Sequence, residues 1–400
     1  MSYWQLIKQS PKDTSFGFTH FLYSSVGQSF FMSLFIPVWL SEFTMDNVTF
    51  AKIYGVATFL GAMALSQVGP WIDRMPIRKF SLLNGLFLSF GALFLSFATH
   101  WLWLGVGITF LRLSAQGLMP LTGATAMGRY FDKDRGKALS FASMGMSTGE
   151  LLFPLLVVAL LNQMGWDTLW RIIAVVLLVG FSSSVLLLGR KGESSITTGK
   201  RAENKALVRR LWRTPPFLML AALAIYTPMI TAGILINQNL ILEAKDIPAD
   251  WFAIGITAFG IMRISSSLIS GPLVDRYTAV RVFPLLPIPM IIGVLALLLI
   301  DHPYTMIFFM GMVGTSISMG GVSGTALWAE LFGKESIGTV KSIVSTMMVF
   351  STALSPALFA PLYEHYFVPT LSGVIFFSVF LSWRAIRMLE RKHVFATVVE

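Results

Sequence analysis

Twelve long apolar runs divide the chain, and they constrain its fold more than any other feature. Most are about 17–25 residues long, the length that an α-helix needs to cross the hydrocarbon core of a bilayer. The runs lie near 16–40, 51–72, 80–98, 101–127, 137–161, 168–189, 217–241, 251–273, 282–300, 304–328, 338–362 and 368–388. A transmembrane β-barrel would instead need alternating segments of roughly ten residues, which are absent. Since only 12% of the residues are charged, against about a quarter in soluble domains, the sequence predicts an all-α polytopic membrane protein with twelve transmembrane helices.

The basic residues are distributed unevenly between the two sides of the membrane that twelve spans define. If the N-terminal tail faces the cytoplasm, 25 of the 30 Lys and Arg residues lie on that side, three on the opposite side and two inside spans. Such an excess sets the orientation of membrane proteins. The sequence therefore predicts a multi-pass protein of the plasma membrane (the inner membrane of a cell with two) with both termini in the cytoplasm. The net charge of +10 then reflects topology and does not indicate nucleic-acid binding.

One motif occurs twice in the chain. GPWIDRMPIRKF begins at Gly69, and GPLVDRYTAVRVF begins at Gly271, 202 residues later. The same offset relates four further pairs of residues: Gly136 and Gly338, Ser140 and Ser342, Ser143 and Ser345, Pro154 and Pro356. One register holding across separate segments indicates a parallel duplication, as in transporters built from two six-helix bundles. We therefore predict bundles at 1–189 and 217–400, joined by a basic cytoplasmic linker, 190–216, which we interpret as a solvated tether that touches anionic lipid.

These features resemble the major facilitator superfamily over essentially the whole chain. The signature between helices 2 and 3 of that superfamily, Gly-x-x-x-Asp-Arg-x-x-x-Arg-Lys, is matched at Gly69, Asp73, Arg74, Arg78 and Lys79. The stretch RYFDKDRGKALSFASMG is also similar to a pattern of monocarboxylate and oxalate/formate carriers. The resemblance implies a secondary transporter with two pseudo-symmetric bundles that works by alternating access. We identify no cofactor site in the sequence.

The repeated motif has a physical interpretation as a latch. Gly69 lets two helices approach closely, and Asp73, just past a helix end, can pair with an Arg or with the positive end of a neighbouring helix. The resemblance implies that the latch steadies the state closed to the cytoplasm. Its predicted residues are Gly69, Asp73, Arg74 and Arg78 in the first half and Gly271, Asp275 and Arg276 in the second. The alternative is that the positive charges of the motif only keep this loop on the cytoplasmic side of the membrane, a function that does not require the Asp.

Three ionisable residues lie well inside predicted spans: Arg112, Glu150 and Arg263. A charge at that depth costs at least a few kcal/mol and is a functional candidate by default. We predict that Glu150 binds and releases a coupling proton, since Arg112 on the next helix can alter its protonation by moving. A structural ion pair between Arg112 and Glu150 is the alternative, and the two interpretations are compatible.

The neighbouring sequences refine these assignments. Arg112 in FLRLSAQGLMP resembles the helix-four signature Arg-x-x-Gln-Gly, but with one extra residue before Gln116. Glu150 stands where another superfamily signature, Gly-x-x-x-Gly-Pro, has the Pro. Arg263 resembles the helix-eight arginine of monocarboxylate carriers, shifted by one helical turn. A guanidinium that faces a cavity suits bidentate binding of a carboxylate, while a bond to helix carbonyls is the structural alternative.

Polar residues on the first and seventh spans complete the predicted substrate site. His20, Ser24 and Gln28 are spaced i, i+4, i+8, which predicts a polar stripe on one helical face, and we expect His20 to form hydrogen bonds near the cytoplasmic interface. The resemblance implies that such stripes line a central cavity. The predicted substrate-binding residues are Arg112, Arg263, Gln28, Tyr23, Tyr226 and Asn237.

The sequence thus predicts a carrier of a small, monocarboxylate-like organic anion coupled to protons. The expected partners are a small-molecule substrate, protons and membrane lipid, without nucleic acid or an obligate protein partner. A proton-coupled exporter of lipophilic compounds is the alternative, because the aromatic content and the single buried acid fit it as well. A membrane enzyme is disfavoured, since there is no Cys, no pair of nearby His residues and no phosphate-binding loop. A large soluble domain would indicate a scaffold protein, but the longest loop has only 27 residues.

Overall fold

The computed structural model describes residues 3–131, 134–190 and 209–390. Every regular element within these ranges is helical. Eleven of the described helices are long and apolar enough to span a membrane, and a bent pair near the N-terminus supplies a twelfth span. The prediction of an all-α polytopic membrane protein is therefore confirmed.

We label the spans α1 to α12 in chain order. The first, α1, is the bent pair Pro11–Ser33 and Ile36–Glu42. The others are α2 Asn47–Asp73, α3 Ile77–Ser96, α4 Trp101–Tyr130, α5 Gly136–Leu161, α6 Trp166–Leu188, α7 Pro215–Ile236, α8 Asp250–Val274, α9 Ala279–Leu299, α10 Tyr304–Phe332, α11 Ile343–His365 and α12 Phe367–Leu389. The backbone is helical throughout Tyr304–His365, so the predicted loop between α10 and α11 is itself helical.

The chain forms two compact units, Met1–Thr197 and Thr198–Glu400. The first unit holds α1–α6, and the second holds α7–α12. Much of the predicted linker, 191–208, lies outside the described residues. The assignment of bundles to 1–189 and 217–400 with a linker between them stays a prediction.

In the first unit, α1 packs closely against α5 and α6. At Gly145 on α5, a Cβ atom would collide with the carbonyl oxygen of Phe18 on α1, so only glycine permits this approach. Further along, the stacked rings of Phe35 and Trp39 have centroids 5.4 Å apart, and Trp39 stacks on Trp170 of α6 at 6.4 Å. All three rings are fully buried. These aromatic contacts fix the second half of α1 against α6.

The second unit has its own hydrophobic core. Trp328 on α10 lies between Phe217 of α7 and Phe283 of α9, with ring centroids 5.8 and 6.1 Å away. Helices α8 and α10 approach each other at Gly314, where a Cβ atom would lie 2.5 Å from the carbonyl oxygen of Phe259. The unit is thus held together by contacts within its own six helices.

The first span is interrupted near its middle. Its first helix ends at Ser24, a 3₁₀ turn covers Ser25–Gly27, and Gln28 is extended with φ −80° and ψ 155° before the helix resumes at Ser29. The predicted polar stripe is therefore wrong at Gln28, because helical periodicity does not continue through the break. Irregular backbone at membrane depth is tolerated where protein surrounds it.

Candidate functional site

The break in α1 exposes a backbone carbonyl to a buried charge. The Nη1 atom of Arg112 on α4 donates a hydrogen bond of 2.9 Å to the carbonyl oxygen of Gly27. That oxygen is available because the amide of Phe31 bonds to Gln28 instead. Gly27 also lies against α4, since a Cβ atom there would come within 2.5 Å of the carbonyl oxygen of Leu111. The C-terminal end of the first half-helix carries partial negative charge, which favours a cation at this position.

An aromatic ring forms a second side of the Arg112 environment. The guanidinium lies 5.0 Å from the ring centre of Tyr54 on α2, a distance typical of a cation–π contact. The hydroxyl of Tyr54 is 2.9 Å from Oγ of Ser29, just beyond the break in α1. Sequence reasoning missed Tyr54, because one aromatic residue in an apolar helix is indistinguishable from a packing residue.

Two nitrogens of Arg112 have no hydrogen-bond partner among the described residues. Its Nε and Nη2 atoms are buried, and the residue is only 2% exposed. The same two nitrogens of Arg190 bind both carboxylate oxygens of Asp13, at 2.9 and 2.7 Å. An unsatisfied buried donor is costly. The two unsatisfied nitrogens of Arg112 therefore favour a ligand with two acceptor oxygens.

Helix α4 changes its geometry at Arg112. The segment Arg112–Leu118 is π-helical, and α-helix resumes at Met119. A π-helical turn accommodates one extra residue within an α-helix and occurs frequently at functional sites. The stretch Arg112–Gln116, which is one residue longer than the Arg-x-x-Gln-Gly signature, therefore lies within this π-helical segment.

Helix α5, which carries Glu150, packs against the same break. Glu150 is 2% exposed and follows Gly149, where a Cβ atom would collide with Oγ of Ser25 in the 3₁₀ turn. The hydrogen-bond and cation–π contacts described for the Arg112 guanidinium are to Gly27 and Tyr54, so this conformation does not contain the Arg112–Glu150 ion pair that the sequence left open.

Three other predicted substrate residues, Tyr23, Tyr226 and Arg263, have contacts within their own units. Tyr23 packs edge-on against Phe181, with centroids 5.4 Å apart. In the second unit, the hydroxyl of Tyr226 donates to the carbonyl of Val374 at 2.8 Å. Arg263, on α8, has its guanidinium 6.0 Å from the ring centre of Phe259. A role in substrate binding stays a prediction for each of them.

Asn237 is fully buried at the end of α7. Its Nδ2 atom donates to the carbonyls of Gly233 and Pro356, at 2.9 and 3.1 Å. The amide thereby ties α7 to α11, which is a structural function. Any contact of Asn237 with substrate stays a prediction and would involve Oδ1, which has no hydrogen-bond partner among the described residues.

His20 forms hydrogen bonds, as the sequence suggested, and its location near the cytoplasmic interface stays a prediction. The side chain is fully buried, with Nδ1 2.7 Å from the carbonyl oxygen of Phe16 and Nε2 2.9 Å from Oγ of Ser81 on α3. Because a carbonyl only accepts, we infer that Nδ1 carries a proton. His20 thus joins α1 to α3.

The first copy of the repeated motif forms two contacts between helix ends. Asp73 Oδ1 and Arg129 Nη2, at the ends of α2 and α4, are 2.7 Å apart. Arg78 Nη2 donates to the carbonyl of Leu186 on α6 at 2.8 Å. Arg74 is exposed. The charged groups of this motif therefore connect α2 to α4 and α3 to α6.

Gly69 is buried in this region. A Cβ atom there would lie 3.3 Å from a methyl group of Leu121 on α4, so the close approach expected at this glycine is present within the first unit.

The second copy of the motif has different surroundings. A Cβ atom at Gly271 would meet no described atom within 4 Å, so close packing does not explain this glycine. Arg276 lies 5.2 Å from the ring of its neighbour Tyr277, and the side chain of Asp275 lies outside the described part of the chain. Ala279, within the second copy of the motif, connects it to α10. Its amide donates a 3.1 Å hydrogen bond to Oε1 of Glu330 on α10.

We expect Asp73→Asn to slow transport about fivefold without reducing the amount of folded protein. The partly exposed ion pair with Arg129 contributes at most about 1 kcal/mol, enough to shift a conformational equilibrium about fivefold but not to unfold the unit. Asp275→Asn should act in the same direction. Transport rates in proteoliposomes test this, with Asp167→Asn as control because Asp167 pairs with Arg171 in its own helix. Wild-type rates in both latch variants would contradict the latch interpretation.

Comparisons with known proteins agree on the fold. A family profile described as Major Facilitator Superfamily matches residues 16–356 and, in a second match, 241–391. The fold is similar to a bacterial homologue of the human lysosomal transporter Spinster in an inward-facing, unoccupied conformation, with a TM-score of 0.71 and 14% identity over 99% of this chain and 98% of that chain. It is also similar to the nucleoside transporter NupG, with a TM-score of 0.71 and 12% identity over 95% and 98% of the two chains. No curated protein gives a significant match to the sequence.

Proposed function

Because the chain belongs to the major facilitator superfamily, whose members are secondary transporters, we propose that it carries a small organic anion by alternating access coupled to protons. The observation that carries this proposal is the buried Arg112 guanidinium, whose Nε and Nη2 atoms have no hydrogen-bond partner in the described part of the chain. A carboxylate fits this pair, as Asp13 does at Arg190. A cationic substrate would add like charge to a desolvated cation, which is unfavourable.

The proposed substrate position is beside the α1 break, at Arg112. A carboxylate bound to the Nε and Nη2 atoms of Arg112 would leave the Gly27 hydrogen bond in place, because Nη1 forms that bond. The guanidinium would then have an acceptor on each of its nitrogens. The substrate completes an otherwise unsatisfied buried group, which is the condition for specific recognition of an anion.

Glu150 is the proposed site of proton coupling. It is 2% exposed and follows Gly149, which packs against Ser25 in the α1 break that Arg112 contacts at Gly27. A carboxylate in a desolvated site changes its protonation when a nearby charge arrives or leaves. Binding of an anion at Arg112 is such a change, so the substrate and the proton are coupled through their shared surroundings.

The proposed setting is the plasma membrane, with both termini in the cytoplasm. The uneven distribution of Lys and Arg between the two sets of loops supports this orientation.

The experiment that tests the substrate class is a thermal-shift screen of the purified transporter against small carboxylates, nucleosides and lipophilic cations. Ligands that bind the folded state raise its melting temperature, and the increase grows with the logarithm of the ligand concentration relative to Kd. We expect stabilisation by carboxylates only. Stabilisation by lipophilic compounds alone would replace this proposal with export of such compounds, and stabilisation by nucleosides would indicate a neutral substrate.

Arg263, on α8 of the second unit, is a further proposed substrate-binding residue. We expect Arg263→Lys to weaken substrate binding about tenfold, because Lys keeps the charge but loses the planar two-pronged donor. Substrate titration of the purified variant measures this effect. Arg281→Lys, at an exposed site in the same unit, is the control. Unchanged affinity in both Arg263→Lys and Arg263→Gln would assign Arg263 a structural role.

A further inference from the structure

A cluster of arginines lies immediately before α7. Arg209, Arg210, Arg213 and Thr214 line an open cavity of about 470 Å³. The three arginines are exposed, and the described residues that line the cavity include no acidic one. Clustered charges of one sign raise the local concentration of anions. The cavity is therefore suited to a negatively charged ligand.

The backbone that carries these arginines is anchored to the second unit. Leu211 is fully buried and belongs to the same hydrophobic core as Phe217. The amides of Arg213 and Thr214 donate to the carbonyls of Arg210 and Leu211, each at 3.0 Å, and the Thr214 hydroxyl also donates to Arg210 at 3.0 Å. This part of the predicted linker is thus a fixed turn and not a solvated tether. A fixed turn loses less conformational entropy when a ligand binds.

The cavity lies at the edge of a membrane-spanning segment. Pro215 begins α7 directly after Thr214, and Trp212 in the same turn is 50% exposed. Exposed tryptophan at the end of a span is typical of the headgroup region of a bilayer. The distribution of basic residues assigns this side to the cytoplasm, whose leaflet is rich in anionic lipid.

We propose that the cavity binds the phosphate headgroup of an anionic phospholipid in that leaflet. A guanidinium binds phosphate oxygens in a bidentate manner, and here three of them project from one anchored turn. The Thr214 hydroxyl donates to the Arg210 carbonyl, so the arginines supply the donors for the headgroup. The adjacent Trp212 places the site at the depth of lipid phosphates. This lipid site is independent of the proposed substrate.

The test is native mass spectrometry of the full-length transporter during titration with phosphatidylglycerol or phosphatidylcholine. In the triple variant Arg209→Gln, Arg210→Gln, Arg213→Gln, we expect the affinity for phosphatidylglycerol to fall about a hundredfold, since each basic residue near an anionic surface contributes roughly a factor of five. Binding of phosphatidylcholine should not change. The single variant Arg213→Gln should lose about fivefold and provides the measurement if the triple variant does not fold.

A matched control removes three exposed arginines elsewhere in the same unit, through Arg281→Gln, Arg384→Gln and Arg387→Gln. It has the same net charge as the test variant, so a difference between the two reports the cavity and not general electrostatics. Equal loss of phosphatidylglycerol in both triple variants, or no loss in the test variant, would overturn the proposal. Binding of inorganic phosphate that competes fully with the lipid at equal concentration would overturn the assignment to a lipid.

Discussion

Arg112→Lys is expected to lower the affinity for the carried anion about thirtyfold. Lysine keeps the positive charge but offers a single ammonium group in place of the Nε and Nη2 pair, so one charge-assisted hydrogen bond worth about 2 kcal/mol is lost. In Arg112→Gln the charge is lost as well, and we expect a reduction of about a thousandfold. Titration of substrate against the purified variants measures both effects.

Two features of this experiment separate substrate binding from structural damage. Arg171→Lys is the control, because Arg171 belongs to the same unit, is exposed and forms its ion pair with Asp167 on its own helix. The melting temperature without substrate reports the loss of the Gly27 bond, while the shift on adding substrate reports binding. Substrate shifts in Arg112→Lys and Arg112→Gln equal to those of the wild type would refute the anion site at the α1 break.

Glu150→Gln is expected to abolish proton-driven accumulation while substrate exchange continues. Glutamine has nearly the same shape but binds no proton in the physiological range, so the bound substrate can still cross with the conformational change. A difference of one pH unit corresponds to about 1.4 kcal/mol per proton, which supports about tenfold accumulation in the wild type. In the variant, we expect the substrate concentrations on the two sides to become equal.

Proteoliposomes with and without a pH gradient provide this measurement. Glu42→Gln is the control, because it removes an exposed carboxylate from the same unit. Exchange of labelled for unlabelled substrate shows that the variant is folded and active. Accumulation that persists in Glu150→Gln would place the coupling proton elsewhere or indicate that the wild type does not use one.

The sequence determined the number and approximate bounds of the membrane spans, because hydrophobicity over about 20 residues is a property of each segment alone. It also identified Arg112 and Glu150 as candidates, since a charge in an apolar segment is visible without a structure. The extra residue before Gln116 could also be identified from the sequence. The sequence did not predict its structural consequence, the π-helical segment Arg112–Leu118.

The surroundings of these charges were decided by the tertiary structure. The periodicity of His20, Ser24 and Gln28 predicts an unbroken helix, and no local signal marks the 3₁₀ turn Ser25–Gly27. At this turn, where α1 lies close to α4, the carbonyl oxygen of Gly27 accepts a hydrogen bond from Arg112. Which helices meet at a residue depends on packing across the whole unit. The sequence therefore located the buried charges, and only the packed helices determined that Arg112 bonds to Gly27 and not to Glu150.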